Sequence, residues 1–290
     1  MAENKSNARI AFQGVPGAYS HLACTRVYPG MEVLPCQTFE NMFAAVKNGK
    51  AKYAMTPIEN SVAGRVADIH RLLPESGLYI VGEYFMRVNH HLLALPSATV
   101  KSIEVVRSHV HALSQCGKII DNLRLKPVVH ADTAGAAMEL KRNGNKSEAV
   151  IASELAGKIY GLRSLRRNIE DSKYNTTRFV VMAREATKVK LSAVPLVTSF
   201  VFRVRNVPAA LYKAMGGFAT NGVNMTKLES YMVADSFNAT QFYSDVDGHP
   251  NDPGLKLALE ELAFFSHEIR ILGTYEAHPF RYGKGADEPK

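Results

Sequence analysis

Apolar positions along this chain follow a strand–helix alternation up to about residue 186, and a different order of elements beyond it. Ala8-Arg9-Ile10-Ala11-Phe12 reads as a strand. Gln13-Gly14-Val15-Pro16-Gly17-Ala18-Tyr19-Ser20 reads as a tight loop, with Ser20 capping a helix through Val27. Such a strand–loop–helix entry places backbone N–H groups where an anion can sit. Phe39, Met42, Phe43 and Val46 then fall at i, i+3, i+4 and i+7 behind a Thr38 cap, and Gly49 is the stop. Lys52 to Thr56 is a strand that ends in the polar cluster Pro57-Ile58-Glu59-Asn60-Ser61. Val62, Val66, Ile69, Leu72 and Leu73 outline a helix after it. This alternation predicts a parallel-type α/β sheet, whose ligands bind beyond the strand ends.

The stretch from Leu78 to Leu95 predicts two strand segments with Asn89-His90-His91 between them. A second α/β unit follows: Val105-Val106 leading to Arg107-Ser108-His109-Val110-His111, a helix Ala112 to Leu123, a strand at Val128-Val129, a helix Ala134 to Lys141 capped by Asp132-Thr133, a strand Ala149 to Ala152 and a helix Glu154 to Tyr160. Glu170-Asp171 and Asn175-Thr176-Thr177-Arg178-Phe179 then lead into the apolar run Val180-Val181-Met182, placing polar groups at the mouth of a buried strand. Two such lobes predict a cleft between them. Ala186 to Pro195 reads as a linker. Beyond it come a strand Leu196 to Arg205, a helix entered at Asn206 and Pro208 and stopped by Asn221-Gly222, strands near Asn224 to Val233 and Ala239 to Val246, a helix from Asp252-Pro253 to Phe265 and a strand Glu268 to Tyr275. That order, β-α-β-β-α-β, is ferredoxin-like. The polar tail from Arg281 is expected to be loose.

The chain has 290 residues, enough for about two domains. Its net charge of +8 raises the question of nucleic acid. Residues 101–190 hold 17 basic and 9 acidic groups, so the whole surplus sits in one segment, spread singly apart from Lys141-Arg142 and Arg166-Arg167 and without interleaved aromatics. A positive cleft for an anionic metabolite fits this better than a stacking platform. The polar N-terminus lacks the apolar core of a secretory signal, no run is long enough to span a bilayer, and Cys24, Cys36 and Cys116 are scattered. These features point to a cytoplasmic protein that binds neither membrane nor nucleic acid.

No His, Cys or acidic spacing suits a metal, no thiol has an evident base, and Ser108 beside His109 and His111 lacks a nucleophile elbow. What remains are neutral polar residues near element ends, Asn60, Ser108, Gln115 and Thr177, with Glu59 and Arg178 attached. Arginine offers a planar fork for a carboxylate, and threonine a donor that works at any pH. Such a set suits a reaction in which the protein orients a reactive substrate and stabilises departing charge.

Four segments in order resemble prephenate dehydratases with a C-terminal ACT domain: Gly14 to Ser20; Pro57 to Ser61 with Gly64; Ser108-His109, Ala112-Leu113 and Gln115-Cys116; and Asn175 to Phe179. The resemblance runs from Ile10 to about Phe280. It implies two α/β subdomains around a cleft, like type II periplasmic binding proteins, over residues 8–186, and a ferredoxin-like βαββαβ ACT regulatory domain over 195–280. It implies decarboxylating dehydration of prephenate to phenylpyruvate without cofactor or metal. Thr177, Asn60, Ser108 and Gln115 would be catalytic, with Thr177 donating to the leaving hydroxyl, and Arg178, Glu59 and Ser20 would bind substrate. Phenylalanine would bind around Ala209, Ala210, Leu211, Asn224, Glu229 and Ser230 in a homodimer or homotetramer. The sequence departs from the family where Val110-His111 stands for Pro-Gln, Ala209 for the Gly of Gly-Ala-Leu, and Tyr231-Met232 for Arg-Pro. Arogenate dehydratase and a non-catalytic aromatic amino acid sensor are the competing readings.

Overall fold

The computed structural model describes residues 8–189, 194–232 and 241–283. The N-terminal residues, part of the expected linker, the strand ends at Val233 and Ala239 and the tail beyond Gly283 lie outside the described residues. The first elements are β1 (Arg9–Gln13), α1 (Tyr19–Val27), β2 (Glu32–Cys36), α2 (Phe39–Lys47), β3 (Tyr53–Asn60), β4 (Gly64–Arg65), α3 (Ala67–Leu72) and β5 (Tyr79–Arg87). Then come β6 (His91–Ala94), β7 (Val105–Ser108), α4 (Val110–Ser114), α5 (Gly117–Asn122), β8 (Lys126–Val129), α6 (Thr133–Asn143), β9 (Glu148–Ala152), α7 (Glu154–Tyr160), β10 (Arg163–Arg167) and β11 (Thr176–Ala183). The last are β12 (Leu196–Val204), α8 (Ala210–Thr220), β13 (Met225–Tyr231), β14 (Gln241–Asp247), α9 (Pro253–Phe265) and β15 (Ser266–Glu276).

The fold is α/β with mixed sheets. One sheet runs β2-β1-β3-β11-β5, with β4 on β3, and its β1 pairs parallel with both β2 and β3. The second runs β10-β6-β9-β7-β8 and mixes parallel and antiparallel pairs. The third, β13-β14-β12-β15, is antiparallel throughout. Two compact units divide the chain, Met1–Arg65 with Phe85–Phe179, and Val66–Tyr84 with Val180–Lys290.

In the first unit, α1 and α2 cover β1 to β3, and Phe12, Met42, Val46 and Met55 are fully buried. Thr38 caps α2 as expected, its hydroxyl accepting the Asn41 N–H. Ser20 does not cap α1: the helix begins at Tyr19, after Ala18, so Ser20 is already inside the first turn. The helix expected from Val62 starts only at Ala67, because Gly64–Arg65 turns back to pair with Glu59 and Asn60. The helix expected from Ala112 is two short helices, broken at Gln115 and Cys116. Around the second sheet, Leu92, Val106, Ala149 and Ile151 share one core, and Leu93, Val150, Ala152 and Ala156 another.

The second unit holds the β-α-β-β-α-β run of β12 to β15, with α8 and α9 packed together. Phe200, Phe202, Phe218 and Phe242 stack in its core. Arg281 is not loose: its guanidinium donates to Glu83 at 2.6 and 2.9 Å and approaches Asp245 at 3.5 Å. Glu83 and Asp245 are buried carboxylates, and this shared cation offsets the cost of desolvating them.

Two backbone positions carry opposite predictions. Gly17 sits at φ +93°, and a Cβ there would lie 2.8 Å from the Ala156 Cα. Gly17→Ala should destabilise the protein by about 2–4 kcal/mol in urea unfolding. Ala209 precedes α8 at φ 59°, the left-handed region in which a side chain is strained. Ala209→Gly should stabilise by about 1 kcal/mol.

Candidate active site

In a sheet ordered β2-β1-β3, ligands collect at the carboxyl ends of the strands where the order reverses. Asn60 is the last residue of β3, and Thr177 is near the start of β11 beside it. The backbone N–H groups of Val62 and Ala63 donate to Asn60 Oδ1 at 2.9 and 2.8 Å. A backbone N–H can only donate, so the orientation of this amide is set. Its Nδ2 then donates to Asn175 Oδ1 at 2.8 Å and to Thr177 Oγ1 at 2.9 Å. Asn175 in turn donates through Nδ2 to Gln115 Oε1 at 2.8 Å. His90 Nε2 lies 2.9 Å from the same oxygen and must carry the proton, because a carbonyl oxygen can only accept. His90 Nδ1 is therefore the acceptor for the Tyr19 hydroxyl at 2.7 Å.

Burial lowers the His90 imidazole below its ordinary 6.5, so it is neutral near pH 7 and supplies this tautomer. Burial also raises the Tyr19 phenol well above 10.0 and keeps it protonated. The main-chain N–H of His90 donates to Glu170 Oε2 at 2.9 Å, while Asp171 accepts the Lys118 N–H and gives its own N–H to the Gln115 carbonyl. The acidic pair therefore anchors backbone on either side of the polar chain.

The consequence falls on Thr177. Its oxygen accepts from Asn60, and among the described residues no acceptor stands against its own proton. Thr177 is half-buried, with its donor available. Asn60, Gln115 and Thr177 are thus brought together, with Asn175 as the link.

Other expected site residues stand elsewhere. Residues 177 and 178 point to opposite faces of β11, as 59 and 60 do on β3. Asn60 meets Thr177 on one face, and Glu59 meets Arg178 at 3.1 Å on the other. Arg178 is 2% exposed and lies over the Phe85 ring, so it cannot share a pocket with Thr177 and grip a substrate carboxylate there. Ser108 is fully buried and donates to the Ile151 carbonyl at 2.6 Å, which makes it a brace between β7 and β9. His109 accepts the His111 N–H through Nδ1, and so does not serve Ser108 as a base. The glycine loop is not an open anion cradle: Gly17 N–H donates to His21 Nδ1, and the Gly17 carbonyl accepts the Ser153 hydroxyl at 2.6 Å. Ser20 has no hydrogen bond to the polar chain.

Of the residues expected to bind phenylalanine, Ala209 precedes α8, Ala210 is buried in the core and Leu211 packs against it. Asn224 donates to Asp247 at 2.8 Å, Glu229 pairs with Lys227 at 3.1 Å, and Ser230 is exposed on β13. Sequence reasoning missed Tyr19 and His90. The available signal for His90 was its place at the break between two strand segments, next to a histidine of opposite facing.

Two results follow from this geometry. Arg178→Met leaves Glu59 without its buried cation and should cost about 2–4 kcal/mol of stability by urea unfolding. Protonating His90 would put a proton on the nitrogen that accepts from Tyr19. Its contribution to stability is complete above about pH 6.5 and is lost as the pH falls toward the lowered folded-state value, because only the unfolded chain takes up the proton. Burial depresses His21, His91 and His109 in the same sense, so stability should drop between about pH 7 and 5, with a shallower slope in His90→Gln.

Comparison with known proteins places the chain in a family. The sequence model of the family described as prephenate dehydratase matches residues 10–187. The chain is 53% identical, over 94% of its length and 97% of the relative's, to a Komagataeibacter europaeus protein named bifunctional N-acyl-homoserine lactone acylase/prephenate dehydratase. It is 38% identical, over 93% of its length and 72% of the relative's, to arogenate dehydratase/prephenate dehydratase 1 of Arabidopsis thaliana chloroplasts. Among solved structures, prephenate dehydratase from Arthrobacter aurescens in complex with L-Phe superposes with a TM-score of 0.85 at 28% identity, covering 93% of this chain and 90% of that one. No helix among the described residues is long and apolar enough to cross a membrane. With its family model spanning most of the chain and its relatives matching nearly all of it, the protein belongs to the prephenate dehydratase family.

Proposed function

We propose that this chain converts prephenate to phenylpyruvate, with the polar chain ending at Thr177 as the active site. The observation that carries the reading is the unclaimed proton of Thr177. The carboxylate on the quaternary ring carbon leaves as carbon dioxide, its bonding electrons aromatise the ring, and the ring hydroxyl departs on the far side. Aromatisation supplies the drive, and hydroxide is the poor leaving group. A hydroxyl donor fixed by Asn60 stabilises the charge that develops on that oxygen, and the departing group takes one proton from solvent to become water. Asn175, Gln115, His90 and Tyr19 hold Asn60 and Thr177 in register and contribute preorganisation rather than charge.

Residues 195–280 are assigned as an ACT domain from the order of β12 to β15 and their helices. Phenylalanine is its proposed ligand, around Ala209 to Leu211 and Asn224 to Ser230. The L-Phe complex of the Arthrobacter relative supports this assignment. The open edge of β13 is the proposed surface for a homodimer or homotetramer. Residues 8–186 are assigned as the catalytic domain. A second reading, release of the acyl chain from an N-acyl-homoserine lactone, rests on the name of the Komagataeibacter relative.

The purified chain should form phenylpyruvate from prephenate, seen by ultraviolet absorbance. Thr177→Ala should lower kcat by roughly 10²–10⁴-fold while leaving the unfolding midpoint near that of the parent. Near-normal turnover by that variant would remove Thr177 from its role. Parallel assays with arogenate and an N-acyl-homoserine lactone distinguish the competing activities, and calorimetry with phenylalanine should show binding coupled to a change in rate.

A further inference from the structure

His90 and His91 face opposite ways where the chain crosses from β5 to β6. His90 belongs to the polar chain described above. His91 lines a separate cavity of about 110 Å³. The cavity is walled by the C-terminal half of α1, the end of β5 and α7, with Leu22 and Leu155 as apolar sides. It adjoins the polar chain through Asn89, whose carbonyl lies 3.0 Å from the Tyr19 hydroxyl, and through Arg87, which faces Glu170.

Two lining residues leave polar nitrogens without partners among the described residues. His91 is 6% exposed, and its Nδ1 is buried and unbonded. Arg87 Nε is likewise buried and unbonded, while the same guanidinium stands 3.8 Å from Glu170 through Nη2. Buried polar atoms are rarely left unsatisfied, and each one costs stability. Arg26 and Lys158 stand at the rim, where Lys158 Nζ pairs at 3.5 Å with Glu154, the one carboxylate among the lining residues. Arg26 and Lys158 also suit the last turns of α1 and α7, which leaves the unpartnered nitrogens of His91 and Arg87 as the groups that call for a ligand.

We propose that this cavity binds a small organic carboxylate. One oxygen accepts from Arg87 Nε and the other from His91 Nδ1–H, with a short apolar part between Leu22 and Leu155. The space holds about four water-sized groups, enough for acetate or propionate. Two donors and two leucine walls suit a carboxylate better than phosphate, which demands donors on every side. A ligand here ties α1 and the end of β5, a strand of the first sheet, to α7 and β6, a strand of the second, one residue from His90. The site does not depend on the activity assigned to Thr177, and its test reads binding alone.

The full-length chain, with histidine side chains labelled with nitrogen-15, is titrated with acetate, propionate and phosphate at constant ionic strength, using His91→Gln to assign the resonance. Saturable movement of the His91 signal by the two carboxylates is expected. It should be roughly tenfold weaker in Arg87→Gln, as for loss of a charge-assisted hydrogen bond. Lys158→Gln, on an exposed helix end, should weaken it by about threefold and serves if Arg87→Gln does not fold. No saturable movement, equal affinity in the variants, or saturation by phosphate in place of carboxylates would overturn the proposal.

Discussion

Two main-chain N–H groups, those of Val62 and Ala63, set the polarity of the candidate active site. Because they can only donate, they choose which end of the Asn60 amide is oxygen. That choice propagates through Asn175 and Gln115 to His90 and Tyr19, each partner being left one compatible role. Its other product is a threonine whose oxygen accepts from Asn60 while its proton meets no acceptor among the described residues. A chain of neutral groups can do this in a partly buried place, where fixed charges would need counter-ions and would lose more to desolvation. The β4 turn-back that shortens the following helix is what brings residues 62 and 63 over Asn60.

The pleat of two neighbouring strands separates structural from chemical work. Glu59 and Arg178 pair on one face, where their ion pair and the Phe85 ring hold β3 against β11. Asn60 and Thr177 meet on the opposite face. The salt bridge therefore lies on the face of the sheet away from the Thr177 hydroxyl. Ser108 and Gly17 have comparable supporting roles: one braces the second sheet, and the other lets the first loop approach α7 closely.

Local pattern was a good guide where one short segment decides the outcome. The Phe39 helix with its Thr38 cap, the alternation of strands and helices, and the β-α-β-β-α-β order after residue 195 all follow from periodicity and turn chemistry. The motif around Thr177 and the polar end of β3 were legible as candidate chemistry, because polar residues bordering a buried strand stand out by composition alone. The sequence likewise placed Asn60, Gln115 and Thr177 among the residues to watch.

Which of those residues meet was decided only by the tertiary structure. Asn60 and Thr177 are more than a hundred positions apart, and their contact depends on β11 inserting beside β3. Arg178 adjoins Thr177 in sequence yet lies on the other face of the sheet, because successive side chains of a strand point in opposite directions. His90 joins the site through its bond to Gln115, and Tyr19 through a bond to His90 that spans 71 residues. Composition names the groups able to donate and accept; the long-range strand pairing determines which of them are left with a proton to give.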